Sequence, residues 1–456
     1  MTPVPHSLQS QHANPAAVLQ YEEPPKKKLW TSNAVFFVGM HILVLPSLLI
    51  YPPWRLPLQT HILSFALWNV AMLGITIGYH RLWSHRSFRT GKIVRSGLAF
   101  AGTTAFQGSI KWWCLRHRLH HRFTDDIHHD PYAATRGMLF AHVGWIFWKT
   151  EYPRMRLIGR EDLDQDPVVR FQHKYYIFLA LFSGFILPTL LGAMWGDALG
   201  GFLYGGVCIR ILIWHCTFLV NSLAHWNGLQ KYSDEVTARG NTILALLTNG
   251  EGNHNFHAFP HDFRADMNLT AWDPSKWYIW LLARTGLAWG LRRARDEDIA
   301  WAVRMQKKRD AAKAAGLDPS ELSDKEVDEE NHPTLSLGSN SVSSNDDVVW
   351  NYDVTLKYAC AVPGRCLLII DGFVIDATKF LGEHPGGAML IRNYSIRATG
   401  SPWVAEQLSP KDSATPMGDW HEAGWAYHGG LNNHTRAAGR RLRQLRIARF
   451  DGSTGK

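Results

Sequence analysis

The residues with the greatest chemical potential are histidines, and they are densest in His117-Arg118-Leu119-His120-His121. On a helix, positions i, i+3 and i+4 share a face, so these three imidazoles project together. Neutral imidazole is a ligand for iron, zinc and copper, and three on one face form a metal-binding wall. The interleaved Arg116, Arg118 and Arg122 leave a second reading, a basic surface helix. The rest of the chain has to supply partners, and it does. His80 and His85 stand five apart in Gly78-Tyr79-His80-Arg81-Leu82-Trp83-Ser84-His85. His225 closes Asn221-Ser222-Leu223-Ala224-His225, with an amide one turn before the imidazole, and His254 and His257 lie in Gly250-Glu251-Gly252-Asn253-His254-Asn255-Phe256-His257. Eight nitrogen ligands exceed what one zinc ion takes and suit two metal ions.

The elements that must position them are membrane helices. Thr31–Tyr51, Gln59–Tyr79 and Tyr175–Gly196 contain no Asp, Glu, Lys or Arg, and Ala198–Val220 contains one Arg. Each has the roughly 20 residues needed to cross a bilayer core. Pro52–Leu58 and the turn near Asp197 join them into two hairpins. Lys26-Lys27-Lys28 before the first span predicts a cytoplasmic N-terminus, and four crossings return residues 80–174 and 221–456 to that side. Every histidine cluster then faces the cytoplasm. Arg210, inside the fourth span, is either a functional residue or is packed against a bundle partner. Gly97–Gly108 and Met138–Trp148 are apolar but too short to cross, and read as helices at the interface.

The chain has 456 residues, which predicts two units, and a formal charge of +9. Nucleic acid is one reading of that excess, but 46% apolar content and 20 Trp favour membrane lipid instead, and no nucleic-acid partner is expected. Five scattered cysteines form no ligand pair or disulfide framework. Met1–Tyr21 is polar and reads as neither a cleavable signal nor a span. The expected divisions are a disordered segment 1–28, a transmembrane domain 29–301, a linker 302–347 and a small α+β module 348–450. The fold class is therefore an all-α membrane protein of four transmembrane helices, with a cytoplasmic helical cap carrying the histidines and the α+β module appended.

The strings HRLWSH (80–85), HRLHH (117–121), NSLAH (221–225) and GEGNHNFH (250–257) resemble the histidine boxes of membrane acyl-CoA Δ9 desaturases, the stearoyl-CoA desaturase family in its fungal form. The resemblance spans residues 28–300 and includes Asp130-Pro131-Tyr132 and His142-Val143-Gly144-Trp145. It implies two non-haem iron ions held by His80, His85, His117, His120, His121, His225, His254 and His257, with Asn221 acting through a water. The implied reaction uses O2 and two electrons to place a cis double bond in a saturated fatty acyl-CoA (stearoyl or palmitoyl), whose chain enters a bent apolar tunnel. In the tail, Glu383-His384-Pro385-Gly386-Gly387 after the strand pattern Leu367–Asp376 resembles a cytochrome b5 domain. That implies haem b with His384 as one axial ligand. His434, in Gly429-Gly430-Leu431-Asn432-Asn433-His434, is the expected second ligand, with His421 and His428 as rivals. An endoplasmic reticulum address with cytoplasmic termini and NADH-cytochrome b5 reductase as electron donor follow from the same resemblance.

The match departs at the third box. The family pattern reads HNxHH, whereas this chain has His254-Asn255-Phe256-His257-Ala258-Phe259-Pro260, one histidine fewer. His261 reaches back toward the site if the segment is helical. The departure motivates an alternative, a non-catalytic membrane haem protein. Another lipid desaturase or hydroxylase is a neighbouring reading. A front-end desaturase is disfavoured, because that type resembles one with an N-terminal haem domain and a Gln in the third box.

Overall fold

The computed structural model describes residues 27–268, 270–319, 322, 348–382, 384, 388–396, 420–428 and 434–452. Among the described residues, four helices are long and apolar enough to cross a membrane: α1 (Thr31–Ile50), α2 (Leu58–Ser84), α5 (Pro167–Ala193) and α6 (Ala198–Trp226). Between them lie α3 (Lys92–Thr104) and α4 (Ile110–Arg122). The spans match the four apolar runs, but three extend beyond them, and the extensions matter. α2 continues past Tyr79 and carries His80, while α6 continues past Val220 and carries His225. α5 starts at Pro167 behind an Asp166 cap and kinks at Tyr175, where the apolar run begins. Outward-facing side chains such as Val35, Ile42, Leu45, Leu49, Phe178 and Leu190 are exposed, the surface that lipid covers.

Close contacts hold the bundle. A Cβ on Gly74 would stand 2.2 Å from the Gly102 nitrogen, so α2 and α3 meet backbone to backbone where only glycine fits. At the far end, Asp197 accepts from Tyr51 (3.0 Å), Thr60 (2.5 Å) and the Gly200 amide (2.9 Å), tying three spans together. Arg210 takes the packing role. Its guanidinium donates to the Gly184 carbonyl (2.7 Å) and the Gly205 carbonyl (3.2 Å), both in π-helical stretches of α5 and α6. Backbone oxygens at these turns thus receive the guanidinium, as a cation buried at membrane depth requires. A chain of imidazoles crosses from α1 to the cap: His41 meets His215 (2.9 Å), His215 meets His142 (3.0 Å), and His142 meets the Ser222 hydroxyl (2.9 Å).

Two short antiparallel ladders close the cap. β1 (Lys27–Leu29) pairs with β3 (Trp148–Thr150), and β2 (Arg89–Thr90) pairs with β4 (Ala288–Trp289). Lys27 and Lys28 thus belong to a strand and not to the expected disordered start, whose residues 1–26 lie outside the described residues. α7 (Asp296–Ala314) runs straight through the boundary expected at 302. Its Trp301, Ala302 and Met305 are buried against Tyr232, Phe256 and Phe259, so the early linker is part of the cap. Most of the linker's remainder lies outside the described residues. The C-terminal module is a four-stranded sheet ordered β5 (Val349–Trp350), β8 (Arg446–Phe450), β7 (Phe373–Asp376), β6 (Leu367–Ile370). Cys366, Leu368, Ile375 and Leu381 are in its core, and α8 (Arg436–Gln444) lies just before β8.

Candidate metal centre and haem site

Three unlike local geometries bring the histidines together. The end of α2, Gly74–Ser84, winds as a π-helix, and the His85 amide donates to the His80 carbonyl five residues back (3.0 Å). Five-residue spacing therefore falls on one face, and the two rings lie 4.6 Å apart between centroids. α4 is an ordinary α-helix with Ser109 as its N-cap. His254–Ala258 is a 3-10 helix, in which i and i+3 align.

Two groups result. His80, His85, His117, His121 and His257 form one, and His120, His225 and His254 form the other, each with ligand nitrogens within 4.8 Å of one another. The pentad is thus split: His117 and His121 turn to one group, His120 to the other. The third box is split as well. Within the larger group, Nε2 atoms face each other at 2.8 Å (His80 and His257), 2.9 Å (His85 and His117) and 3.1 Å (His117 and His121). In the smaller group the buried His225 Nε2 has no hydrogen-bond partner.

Carboxylates and a hydroxyl set the ring orientations. Asp130 accepts from His120 Nδ1 at 2.8 Å. The Thr237 hydroxyl donates to Asp125 (2.7 Å), so it accepts from His225 Nδ1 (2.8 Å). Glu251 stands 3.2 Å from His80 Nδ1 and also receives Arg81, which is held by Asp273 on its other edge. The Asp130 and Thr237 bonds commit Nδ1 of His120 and His225 as donor and leave Nε2 for a metal, while the Glu251 carboxylate lies beside His80 Nδ1 without a hydrogen bond to it. Burial, reinforced by neighbouring imidazoles, holds His85, His117, His121, His254 and His257 well below the usual histidine range, in the neutral form that binds metal. Burial alone would lower His120 too, but Asp130 outweighs it and raises the pKa. An all-imidazole set of convergent, buried nitrogens fits two iron ions.

The other expected site residues are placed differently. Asn221 sits half-buried at the end of the helical stretch Ile209–Asn221, one residue before the Ser222 that holds His142. His261 follows the 3-10 helix in a turn, outside both groups, so the reach-back that a helix would have allowed does not occur. Ala258 packs against the Tyr232–Trp301 cluster. In the C-terminal module, His384 and His434 face one another with centroids 6.3 Å apart and planes 22° apart. The Tyr427 carbonyl accepts from His434 Nδ1 (2.8 Å), again leaving Nε2 for a metal. Two nearly parallel imidazoles at that separation fit a haem between them. Of the rivals, His428 contacts Asp371 on the surface (2.7 Å) and His421 stacks on Trp420. Pro385–Gly387 and Gly429–Asn433 lie outside the described residues.

Sequence reasoning missed Glu251, Thr237, Asp125 and Arg81. Glu251 stood inside a quoted histidine string, and Asp130 in a quoted Asp-Pro-Tyr, so a search for carboxylates beside the boxes would have found both. Arg118 is no surface cation either. It grips both oxygens of Asp162 (2.9 and 2.7 Å) and the Trp83 carbonyl (2.5 Å), fixing α4 to the end of α2.

Fold and site together define a membrane oxidoreductase with a paired histidine metal centre and an attached haem module. Residues 52–263 match the fatty acid desaturase family, and residues 355–399 match the cytochrome b5-like haem/steroid binding domain. The chain is 36% identical to the probable acyl-CoA desaturase of Schizosaccharomyces pombe over 98% of its own length and 84% of that protein. It is 33% identical to acyl-CoA desaturase 1 of Saccharomyces cerevisiae over 86% of itself and 69% of that protein, and 34% identical to the Delta(9)-fatty-acid desaturase fat-7 of Caenorhabditis elegans over 64% and 88%. The chain belongs to the acyl-CoA desaturase family, with a fused cytochrome b5 domain. Its cofactors are accordingly a di-iron centre and a haem.

Proposed function

We propose that His80, His85, His117, His121 and His257 hold one iron, that His120, His225 and His254 hold the other with Asn221 through a water, and that His384 and His434 hold haem b. The chain desaturates fatty acyl-CoA at Δ9. The observation that carries this reading is the convergence of eight histidines into two groups at the cap ends of α2 and α6. When bound, the irons supply the chemistry by which O2, two substrate hydrogens, two electrons and two protons become two waters. The protein's part is placement. Asp130 and Thr237 fix His120 and His225 through Nδ1, Glu251 lies beside His80, and burial keeps bulk water away from the reacting methylenes. The Lys and Arg excess of the cap suits the CoA phosphates.

The membrane is that of the endoplasmic reticulum, with both termini and the centre cytoplasmic. Four spans among the described residues, and Lys27–Leu29 pairing with the cap, support both ends of the bundle lying on one side; the Lys26–Lys28 run supports that side being cytoplasmic, and the endoplasmic reticulum address is the one the family resemblance implies. Electrons reach the haem from NADH-cytochrome b5 reductase. The test is a lipid profile in a eukaryotic host without its own desaturase, grown on oleate until the protein is expressed. New Δ9 monoenes other than the supplied oleate should appear and should vanish with His120→Ala. Well-expressed protein carrying haem and iron but yielding no monoene would overturn the reading.

A further inference from the structure

One helix of the haem module rests on a loop of the desaturase domain (Leu157 meets the module's core elsewhere), and that loop is the one that orients an iron ligand. α8 begins two residues after His434. Its Arg436 amide donates to Glu235 Oε1 (2.8 Å), and the Arg436 guanidinium pairs with Asp234. Arg440 reaches Asp298 (2.8 Å) and lies over the Trp301 ring, while Ala437 packs against the buried Tyr232–Trp301 cluster. The contact thus has an apolar centre and paired charges around it, the composition of a specific docking surface.

The inner side of the same loop belongs to the metal centre. Asn255, between His254 and His257, accepts from the Tyr232 amide (2.7 Å) and donates to the Ser233 and Ala238 carbonyls (2.7 and 2.8 Å). Thr237 accepts from His225 Nδ1 (2.8 Å). A continuous path follows: His434, Thr435, the Arg436 N–H to Glu235, then Val236 and Thr237, then His225. It contains two hydrogen bonds of 2.8 Å and otherwise covalent bonds.

We propose that the loop Tyr232–Ala238 is both the docking platform for the haem module and the electron bridge from the haem ligand His434 to the iron ligand His225. The inference rests on the ligand assignments above. In each transfer one electron leaves ferrous haem, which becomes ferric, and reduces one ferric iron to ferrous. No bond forms or breaks on the bridge, no proton moves along it, and two transfers serve one turnover.

Two measurements on the full chain in membranes test it. In the first, Glu235→Cys with Arg436→Cys is oxidised mildly and linked peptides are counted by mass spectrometry. A disulfide joining positions 235 and 436 in most of the folded protein is expected, and its absence overturns the docking. In the second, haem is reduced chemically and its reoxidation by O2 with acyl-CoA is followed by absorbance. Arg436→Asp should slow reoxidation about tenfold or more, with haem and iron contents unchanged. Arg436→Lys, which keeps a cation beside Asp234, should retain most of the rate. Parent-like reoxidation in Arg436→Asp overturns the bridge. If the parent itself shows no substrate-dependent reoxidation, the ligand and activity assignments fail instead, and the cross-link result still stands on its own.

Discussion

Glu251→Gln is the sharpest single perturbation of the centre. The carboxylate is 9% exposed and does two things at once: it receives Arg81 Nε (3.0 Å) and Nη2 (2.9 Å), and it sets a negative charge beside His80 Nδ1 (3.2 Å). Burial alone would raise its pKa, but the Arg81 charge, helped by His80, holds it down at about 2, against 4.5 for a free glutamate. A folded pKa below the unfolded one stabilises the protein above the unfolded value, and the contribution is lost as pH falls through the folded value. The window is therefore about pH 4.5 down to 2. The difference of roughly 2.5 units corresponds to about 3 kcal/mol at neutral pH, of which about three quarters remains at pH 4 and under half at pH 3.

The amide keeps the shape but removes the charge, and its NH2 turns a donor toward Arg81. Because Asp273 still holds Arg81 by two hydrogen bonds (3.1 and 2.9 Å), the loss should be about 2–3 kcal/mol and not the full cost of an unpaired buried cation. That lowers the apparent unfolding midpoint by about 5–10 °C. Losing the negative charge beside His80 Nδ1 (3.2 Å) should weaken iron binding about 10–100-fold. The assays are thermal unfolding at pH 7 and pH 4 in detergent and iron titration of the apo protein. The gap between parent and variant should narrow at pH 4. A variant with the parent's midpoint and the parent's iron affinity would refute the assignment of Glu251 as the group that charges this corner.

Asp130→Asn should release the iron of the smaller group first, bringing non-haem iron from about two toward one per chain while haem stays, as read by metal analysis. His384→Ala should do the reverse, abolishing the haem absorbance with both non-haem irons retained. Arg210→Met should cost about 1–3 kcal/mol by removing the donor to the Gly184 and Gly205 carbonyls, yet leave iron content unchanged, which separates packing from catalysis. Gly252→Ala would place a Cβ 2.0 Å from the Ala245 nitrogen and 2.4 Å from the Asn241 carbonyl, backbone atoms that cannot yield. It should cost about 3 kcal/mol or more and lower iron at both positions, measured by unfolding and metal analysis.

What was legible in the sequence was whatever depends on local pattern. Four apolar runs located four spans, and the histidine strings located the centre. What was not legible depends on contacts made across the chain. The pairing of His80 with His85 needs a π-helical turn, since on an α-helix a spacing of five leaves the common face. Arg210 could be read as functional or structural until the carbonyls of Gly184 and Gly205 were placed beside it. α7 reads as a solvated linker because Lys307, Lys308, Arg309 and Asp310 dominate its later part. Its buried face, Trp301, Ala302 and Met305, acquires meaning only from Tyr232 and Phe259, more than forty residues earlier.

The shortened third box shows how the two metal groups are coupled. The 3-10 turn sends His254 to one group and His257 to the other, with the ring centroids 5.1 Å apart. Directly after His257 the chain leaves the centre: Ala258 and Phe259 pack with Trp301, in the same apolar cluster that receives Ala437 of the haem module. A histidine at position 258 would therefore face that cluster and not the irons, so substitution there cannot restore the family's extra ligand. The chain holds its third box between the di-iron centre on one side and the haem docking surface on the other.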